Sequence, residues 1–283
     1  MTSIQKHLIL VAHIGQFFYT IASIIIYVQL IMFNLSVCIL THNSARLLEQ
    51  VLPPLVKIAD EIIIVDSGSS DATLTICQQF GLVTHHHPYA THGAQMNHAI
   101  ALASNDWVLC MDSDEILDDE VVAAILALKA GQAPAPDYAW CLPRYWYVLG
   151  QEVRTIYPVS SPDYPVRLFN RTIARFNDRP VDDQVVGAQH SARLPGRVRH
   201  DTFYSLHEVF SKLNNYTTRL VKYQRVKPSL GRGIISAIGA FFKWYLFSGA
   251  WRTGKVGVVT GLYATFYSFL KYFKAWYADG EKK

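Results

Sequence analysis

Reactive side chains crowd where Trp107-Val-Leu-Cys-Met111 runs straight into Asp112-Ser-Asp-Glu115. A continuous apolar run of this kind reads as a strand buried on both faces. Ligands of open α/β sheets bind outside the carboxyl ends of such strands. Three carboxylates crowded there repel one another unless a cation joins them, and hard oxygen donors suit Mg2+ or Mn2+. The competing reading is a solvated acidic loop that leads into a helix capped by Asp118. A second carboxylate, Asp66, ends the run Glu61-Ile-Ile-Ile-Val65 and precedes Ser67-Gly-Ser-Ser70. It can accept hydrogen bonds from a ribose or a base N–H, with Gly68 letting the backbone come close to a ligand. Against this stands an ordinary strand-to-helix turn capped by Ser70 or Asp71.

The elements that must position these acids alternate. Leu35–Leu40 reads as a strand and Thr41–Ser44 as a turn, with Ser44 placed to cap a helix over 45–57. The strand 61–66 is followed by a helix over 72–80 that Gly81 stops. A short strand over 82–86 and a helix over 94–103 lead to the strand that carries Asp112. This β-α-β-α order argues for a mostly parallel, doubly wound sheet flanked by helices. Gly131-Gln-Ala-Pro-Ala-Pro-Asp137 is a linker into a less regular second half. Neither a Gly-x-Gly-x-x-Gly nor a P-loop pattern occurs, so dinucleotide and P-loop ATPase chemistry is unsupported. His85-His86-His87 reads as surface polarity at a strand end, with a metal tract as the alternative.

The chain has 283 residues, of which 51% are hydrophobic and only 17% charged, so its core is ample and a membrane contact is compatible with it. Residues 1–196 carry 11 Lys/Arg against 18 Asp/Glu, whereas residues 197–283 carry 15 against 4. The acidic part suits a metal and the basic, aromatic-rich part an anionic surface. Cys38, Cys77, Cys110 and Cys141 are scattered without a Cys-x-x-Cys, which reads as reduced core thiols of a cytosolic protein. Residues 8–33 lack any formally charged side chain, and about 20 apolar residues span a bilayer. That segment is a membrane anchor or an extension ahead of a natural start at Met32.

Four of these stretches, taken in order and spacing, resemble the inverting family 2 glycosyltransferases of the GT-A fold. They are Leu35-Ser-Val-Cys-Ile-Leu-Thr-His-Asn43, Glu61-Ile-Ile-Ile-Val-Asp-Ser-Gly-Ser-Ser-Asp71, Gly93-Ala-Gln-Met-Asn97 and Trp107-Val-Leu-Cys-Met-Asp-Ser-Asp-Glu115. Pro165-Val-Arg-Leu-Phe169, Arg179-Pro-Val181, His200 and Lys212-Leu-Asn-Asn-Tyr216 extend the likeness to the lipopolysaccharide-core β-1,4-glucosyltransferase-like branch. It continues through Phe269–Trp276 and covers residues 34 to 277, outside the N-terminal segment.

The resemblance implies that Thr41, Asn43 and Asp66 line a uridine pocket with Gln95 and Asn97 nearby. It implies that Asp112 faces the ribose and metal, that Asp114 is the main ligand of a Mg2+ or Mn2+ ion, and that His200 closes over the diphosphate or the metal. The general base of this branch is usually a Glu within His-Glu after Arg-Pro-Val. Here the segment reads Asp182-Asp183, which gives the role to Asp183, with Asp182 as fallback. The implied reaction passes a hexose, glucose first among candidates, from a UDP-sugar to a lipid-linked glycan such as lipopolysaccharide core. A polyprenyl-phosphate glycosyltransferase and a catalytically silent, membrane-associated sugar-nucleotide-binding protein are the alternatives.

Three segments follow: residues 1–33, a GT-A domain over 34–227, and a helical tail over 228–283. In the tail, aromatics interleave with Arg252, Lys255 and other cations, which suits an interfacial helix on anionic lipid. Packing of those aromatics on the catalytic domain is the other reading, and both can hold at once. The expected place is the cytoplasmic face of a bacterial inner membrane, and no nucleic-acid recognition motif is present.

Overall fold

A computed structural model describes residues 33–280, so the N-terminal hydrophobic segment lies outside the described residues except for Phe33. Strand β1 (Leu35–Thr41) feeds helix α1 (Ala45–Ile58), then β2 (Glu61–Asp66), α2 (Thr73–Gln79) and β3 (Thr84–His86). Helix α3 (His92–Leu102) leads to β4 (Trp107–Asp112), β5 (Glu115–Leu117) and α4 (Asp119–Ala130). The α3 helix begins two residues earlier than its apolar pattern suggests, because the Thr91 hydroxyl accepts from Ala94 N and so caps it.

The second half supplies mainly short strands: β6 (Tyr138–Cys141), β7 (Arg144–Val148), β8 (Gln151–Glu152), β9 (Thr155–Ile156) and β10 (Val159–Ser160). Then come β11 (Val166–Asn170), β12 (Arg175–Phe176), β13 (Val185–Val186), β14 (His190–Arg193) and β15 (Val198–Phe203). Helices α5 (Leu206–Tyr223), α6 (Leu230–Phe241) and α7 (Gly254–Gly280) close the described chain. A π-helical segment Phe242–Phe247 and a 3-10 turn Ala250–Thr253 join the last two.

The main sheet runs β14-β6-β11-β4-β1-β2-β3. Its strands β3, β2, β1 and β4 are parallel, and β11 enters antiparallel beside β4. The expected α/β sheet is therefore present as a mixed sheet, with helices on both faces. Side chains alternate across it as strand geometry requires. Leu35, Val37 and Ile39 of β1 and Leu109 and Met111 of β4 join the cluster under α1 and α4. Cys38, Val108 and Cys110 face the other way, against Met96 and Ala99 of α3 and Phe169 of β11. Cys38, Cys77 and Cys110 are buried free thiols and Cys141 is half-buried.

A second sheet, β5-β15-β7-β8, stands beside the carboxyl end of β4. A third apolar cluster, which includes Ile156, Phe203, Leu213, Tyr263 and Tyr267, ties it to α5 and α7. The helical tail is thereby packed on the rest of the protein. Its outer face keeps large apolar side chains exposed, so both readings of the tail have structural counterparts. Among the described residues no single helix is long and apolar enough to cross a membrane. The segments Leu230–Phe247 and Ala250–Gly280, bent by 62°, pass that test only as a pair.

One expected cap is built differently. Ser44 makes no side-chain cap bond to α1. Its hydroxyl instead lies 2.6 Å from Ser113 Oγ and accepts from His42 N at 3.1 Å. Asp71 takes over from the neighbouring loop, accepting from Ala45 N at 3.1 Å through Oδ2 and from Thr73 N at 3.0 Å through Oδ1. Asp118 does cap α4, accepting from Val121 N at 2.9 Å. Because one carboxylate serves two helix starts, Asp71→Ala is expected to cost about 1–2 kcal/mol, the upper range for a lost cap. Chemical denaturation of the variant beside the parent chain checks this, with the Ser44→Ala change expected to cost less.

Candidate active site

Register sets the site. Across β1, Thr41 lies opposite Asp66 of β2 and Leu40 opposite Asp112 of β4, so both carboxylates emerge at one level of the sheet edge. Beyond that edge opens a cavity of about 870 Å3. Of the residues marked by the sequence, Asn43, Asp112, Asp114, Asp182, Asp183 and His200 line it. Thr41, Asp66, Gln95 and Asn97 do not reach its wall.

Those four act from behind. Asp66 is 3% exposed, and its oxygens accept from Thr41 Oγ1 (2.9 Å), Gly68 N (2.9 Å), Ser69 N (2.8 Å) and Ser69 Oγ (2.5 Å). These bonds make Asp66 the anchor of the loop 67–70. Burial alone raises its pKa, but these hydrogen bonds outweigh burial and hold the carboxyl below its usual range. Gln95 donates to Ser67 Oγ and the His87 carbonyl, at 3.0 and 2.9 Å. Asn97 clamps the backbone of Phe176 through both its amide atoms. Asn43 adopts φ 51°, a left-handed conformation that Asn tolerates, and its Oδ1 accepts from Ser70 N at 2.8 Å.

The acids at the end of β4 do not stand unopposed. Asp112 faces His92 Nε2 at 3.0 Å through Oδ1 and accepts from Arg167 Nη2 at 2.8 Å through Oδ2. The same Arg167 nitrogen reaches Glu115 Oε1 at 2.5 Å, and Arg144 Nη1 approaches that oxygen at 3.0 Å. Arg144 then forks onto Asp163, with bonds of 2.9 and 2.6 Å. Burial pushes the Asp112 carboxyl up, yet Arg167 and His92 outweigh it and hold Asp112 well below the ordinary carboxylate range. Burial likewise opposes charge on His92, but Asp112 and Asp183 carry it up to about 10. His92, Arg144, Asp163 and Arg167 were not assigned roles by the sequence reading. Only the Pro-Val-Arg-Leu stretch hinted at Arg167, and nothing local marks His92.

Asp114 pairs with His200, Nε2 to Oδ1 at 3.3 Å, and the His200 ring lies against Trp146 with centroids 4.2 Å apart. Burial raises Asp114, but its contact with His200 outweighs burial and leaves the carboxyl below its usual range. His200 Nδ1 is buried without a hydrogen-bond partner. His200 Nε2 beside the Asp114 carboxylate is a donor pair that suits a divalent ion. Among the described residues, however, no three His, Cys, Asp or Glu side chains are grouped closely enough to hold one by themselves. Asp112 meets His92 through one oxygen and Arg167 through the other, so an ion there would share it with them. Asp183 lines the same cavity, its Oδ2 2.8 Å from His92 Nδ1. Asp182 adopts φ 58° beside it.

Residues 36–139 match the family described as Glycosyl transferase family 2. An "uncharacterized glycosyltransferase" of Rickettsia bellii is 27% identical over 264 residues, covering 86% of each chain. The lipopolysaccharide core biosynthesis glycosyltransferase LpsC of Rhizobium meliloti is 27% identical over 249 residues, covering 83% of this chain and 89% of that one. A glucosyl-3-phosphoglycerate synthase structure from Mycobacterium tuberculosis, holding Mn2+, UDP and glucosyl-3-phosphoglycerate, aligns with a TM-score of 0.46 at 17% identity. That alignment covers 70% of this chain and 82% of that one, and a likeness so loose carries nothing about the site. Residues 36–139 are thus similar to the glycosyltransferase family 2 domain, in a chain whose own fold is a mixed α/β sheet flanked by helices with a helical C-terminal extension.

The Asp66 bonds have a pH consequence. Its folded pKa is lowered, so its stabilisation is present above the ordinary value of about 3.9 and is lost as pH falls through the lower folded value. Asp66→Asn is expected to lower the melting temperature at pH 7 and to flatten the fall in stability below about pH 4. Thermal melts across pH 2–7 would test both, and an unchanged acid slope would contradict this account of the loop.

Proposed function

We propose that the protein is an inverting, divalent-metal-dependent glycosyltransferase that moves a hexose, glucose first among candidates, from a UDP-sugar to a lipid-linked glycan such as lipopolysaccharide core. The observation that carries this reading is one cavity whose wall includes Asp114, His200 and Asp183 together. The family match and the printed name of the Rhizobium relative support it.

In this reading the acceptor hydroxyl attacks the anomeric carbon from the face opposite the diphosphate. Its oxygen–hydrogen bond breaks as the new carbon–oxygen bond forms, and Asp183 receives the proton. The bond to the diphosphate breaks with its electron pair leaving on UDP, and a single displacement inverts the carbon. Asp114 and His200 would hold the ion, together with diphosphate and water oxygens. A bound divalent ion supplies Lewis-acid stabilisation of charge on the leaving diphosphate. Arg167 pairs with Asp112 and Glu115, and Arg144 with Glu115, which fixes both carboxylates behind this pair.

The acceptor's lipid gives the exposed helical face a purpose. Gly233 and Ala240 of α6 are buried, and a Cβ at Gly233 would meet Phe269 and Tyr272 of α7. The opposite face presents Ile234, Ile235 (73% exposed), Ile238 and Phe242, followed by Phe247 (82% exposed). Arg232, Lys243, Arg252 and Lys255 lie in the same region of chain. Apolar side chains rimmed by cations match the interface of an anionic bilayer. This supports a place at the cytoplasmic face of a bacterial inner membrane.

UDP release from a panel of UDP-sugars, with Mg2+ or Mn2+ and a membrane glycolipid extract, tests the reaction. One sugar should give metal-dependent release that Asp114→Asn abolishes, and Asp183→Asn should slow it by about 10²–10⁴-fold. No release with any sugar would sink the reading, whereas a mild Asp183→Asn effect would favour a phosphate acceptor, which needs no strong base. For the surface, co-sedimentation with vesicles should require anionic lipid. The double change Ile235→Asp and Phe247→Asp should weaken it by at least about tenfold, the loss expected when one large apolar side chain is no longer buried.

A further inference from the structure

His92 stands between two acids delivered by different parts of the chain. Its Nε2 is 3.0 Å from Asp112 Oδ1 at the end of β4, and its Nδ1 is 2.8 Å from Asp183 Oδ2 in the loop between β12 and β13. The imidazole is the first residue of α3, and Phe176 packs edge-on against it with ring centroids 5.8 Å apart. Loop and helix touch because residue 93 is glycine. A Cβ there would fall 2.7 Å from the Asn177 carbonyl and 3.3 Å from Asp183 Cβ. The loop is tied elsewhere through its backbone, by Arg219 donating to the Pro180 carbonyl and by Asn177 accepting from Arg179 N and Gln184 N. Those ties locate the backbone but leave the Asp183 carboxylate free to turn.

We infer that His92 is the positioning residue for Asp183. By engaging Oδ2 it removes rotation about the Asp183 Cβ–Cγ bond and gives Oδ1 one direction, into the cavity. By engaging Asp112 with its other nitrogen, it ties that direction to the strand end where the donor sits. His92 itself transfers no proton in the step. The role rests on the proposed function, in which Asp183 takes the proton of the acceptor hydroxyl. A base must lie within hydrogen-bond reach of that proton, and a displacement of about 1 Å costs about 10²-fold in rate.

The test is a double-mutant cycle on the full chain. His92→Phe keeps a ring against Phe176 but loses both nitrogens, and is expected to lower kcat by about 10–10²-fold. Donor KM and UDP affinity by calorimetry should stay within about threefold, because the effect lies in the step and not in donor binding. In an Asp183→Asn background the same change should cost less than about twofold, since residues acting as a unit are not additive. His92→Gln, long enough to reach Asp183 with one polar group, should recover part of the rate and His92→Asn less.

An undiminished kcat in His92→Phe, a full loss repeated in the Asp183→Asn background, or a loss confined to UDP affinity would each overturn the inference. If His92→Phe does not fold, equal rates for the Gln and Asn variants would overturn it instead. A parent chain that transfers no sugar, or an Asp183→Asn chain that transfers at full rate, would refute the proposed function itself. The positioning role would then fall with it, because His92 would have no base to hold.

Discussion

Everything around the cavity depends on keeping negative charge ionised where little water reaches. Asp112, Asp114 and Glu115 end one buried strand within four residues, and isolated carboxylates cannot stay charged in such surroundings. The fold answers by bringing an arginine or a histidine to each. Arg167 arrives on the antiparallel β11, Arg144 on β7, His200 on β15 and His92 on the first turn of α3. The second sheet and the reversed strand thus have an electrostatic purpose, since they carry positive side chains to the acidic end of β4. Removing one partner from such a set leaves an uncompensated buried charge, the costly outcome for ionic networks.

The nucleotide side of the cavity follows a related rule. Asp66, Gln95 and Asn97 are polar side chains at strand ends and on a helix, where ligand contacts are the natural expectation. Their actual partners are the loop 67–70, the His87 carbonyl and the Phe176 backbone. Buried polar atoms are nearly always paired. Once the loops fold back on the sheet edge, these residues hold them there.

The helical tail links the cavity wall to the outside of the molecule. Tyr263 and Tyr267 of α7 face the cavity, while α6 packs on α7 and turns its isoleucines outward. A surface that α6 contacts therefore lies one helix away from the cavity.

The parallel core, its helices and the identity of the acidic strand end were legible from residues alone. Apolar runs over 35–40, 61–65 and 107–111 have few other places to go than a buried sheet, and turn residues bound each of them. Asp112 and Asp114 stood out because an apolar run ends in them, whereas Asp183 was reached only through the family resemblance. What the sequence could not contain was distance. The meeting of His92 with Asp183, 91 residues apart, depends on Gly93 permitting a loop to touch a helix. The pairing of Arg167 with Asp112 depends on β11 entering antiparallel, in a register set by packing on both faces of the sheet. Charge partners across such separations are chosen by strand order and close approach, which arise from the whole buried core and leave no mark in any local pattern.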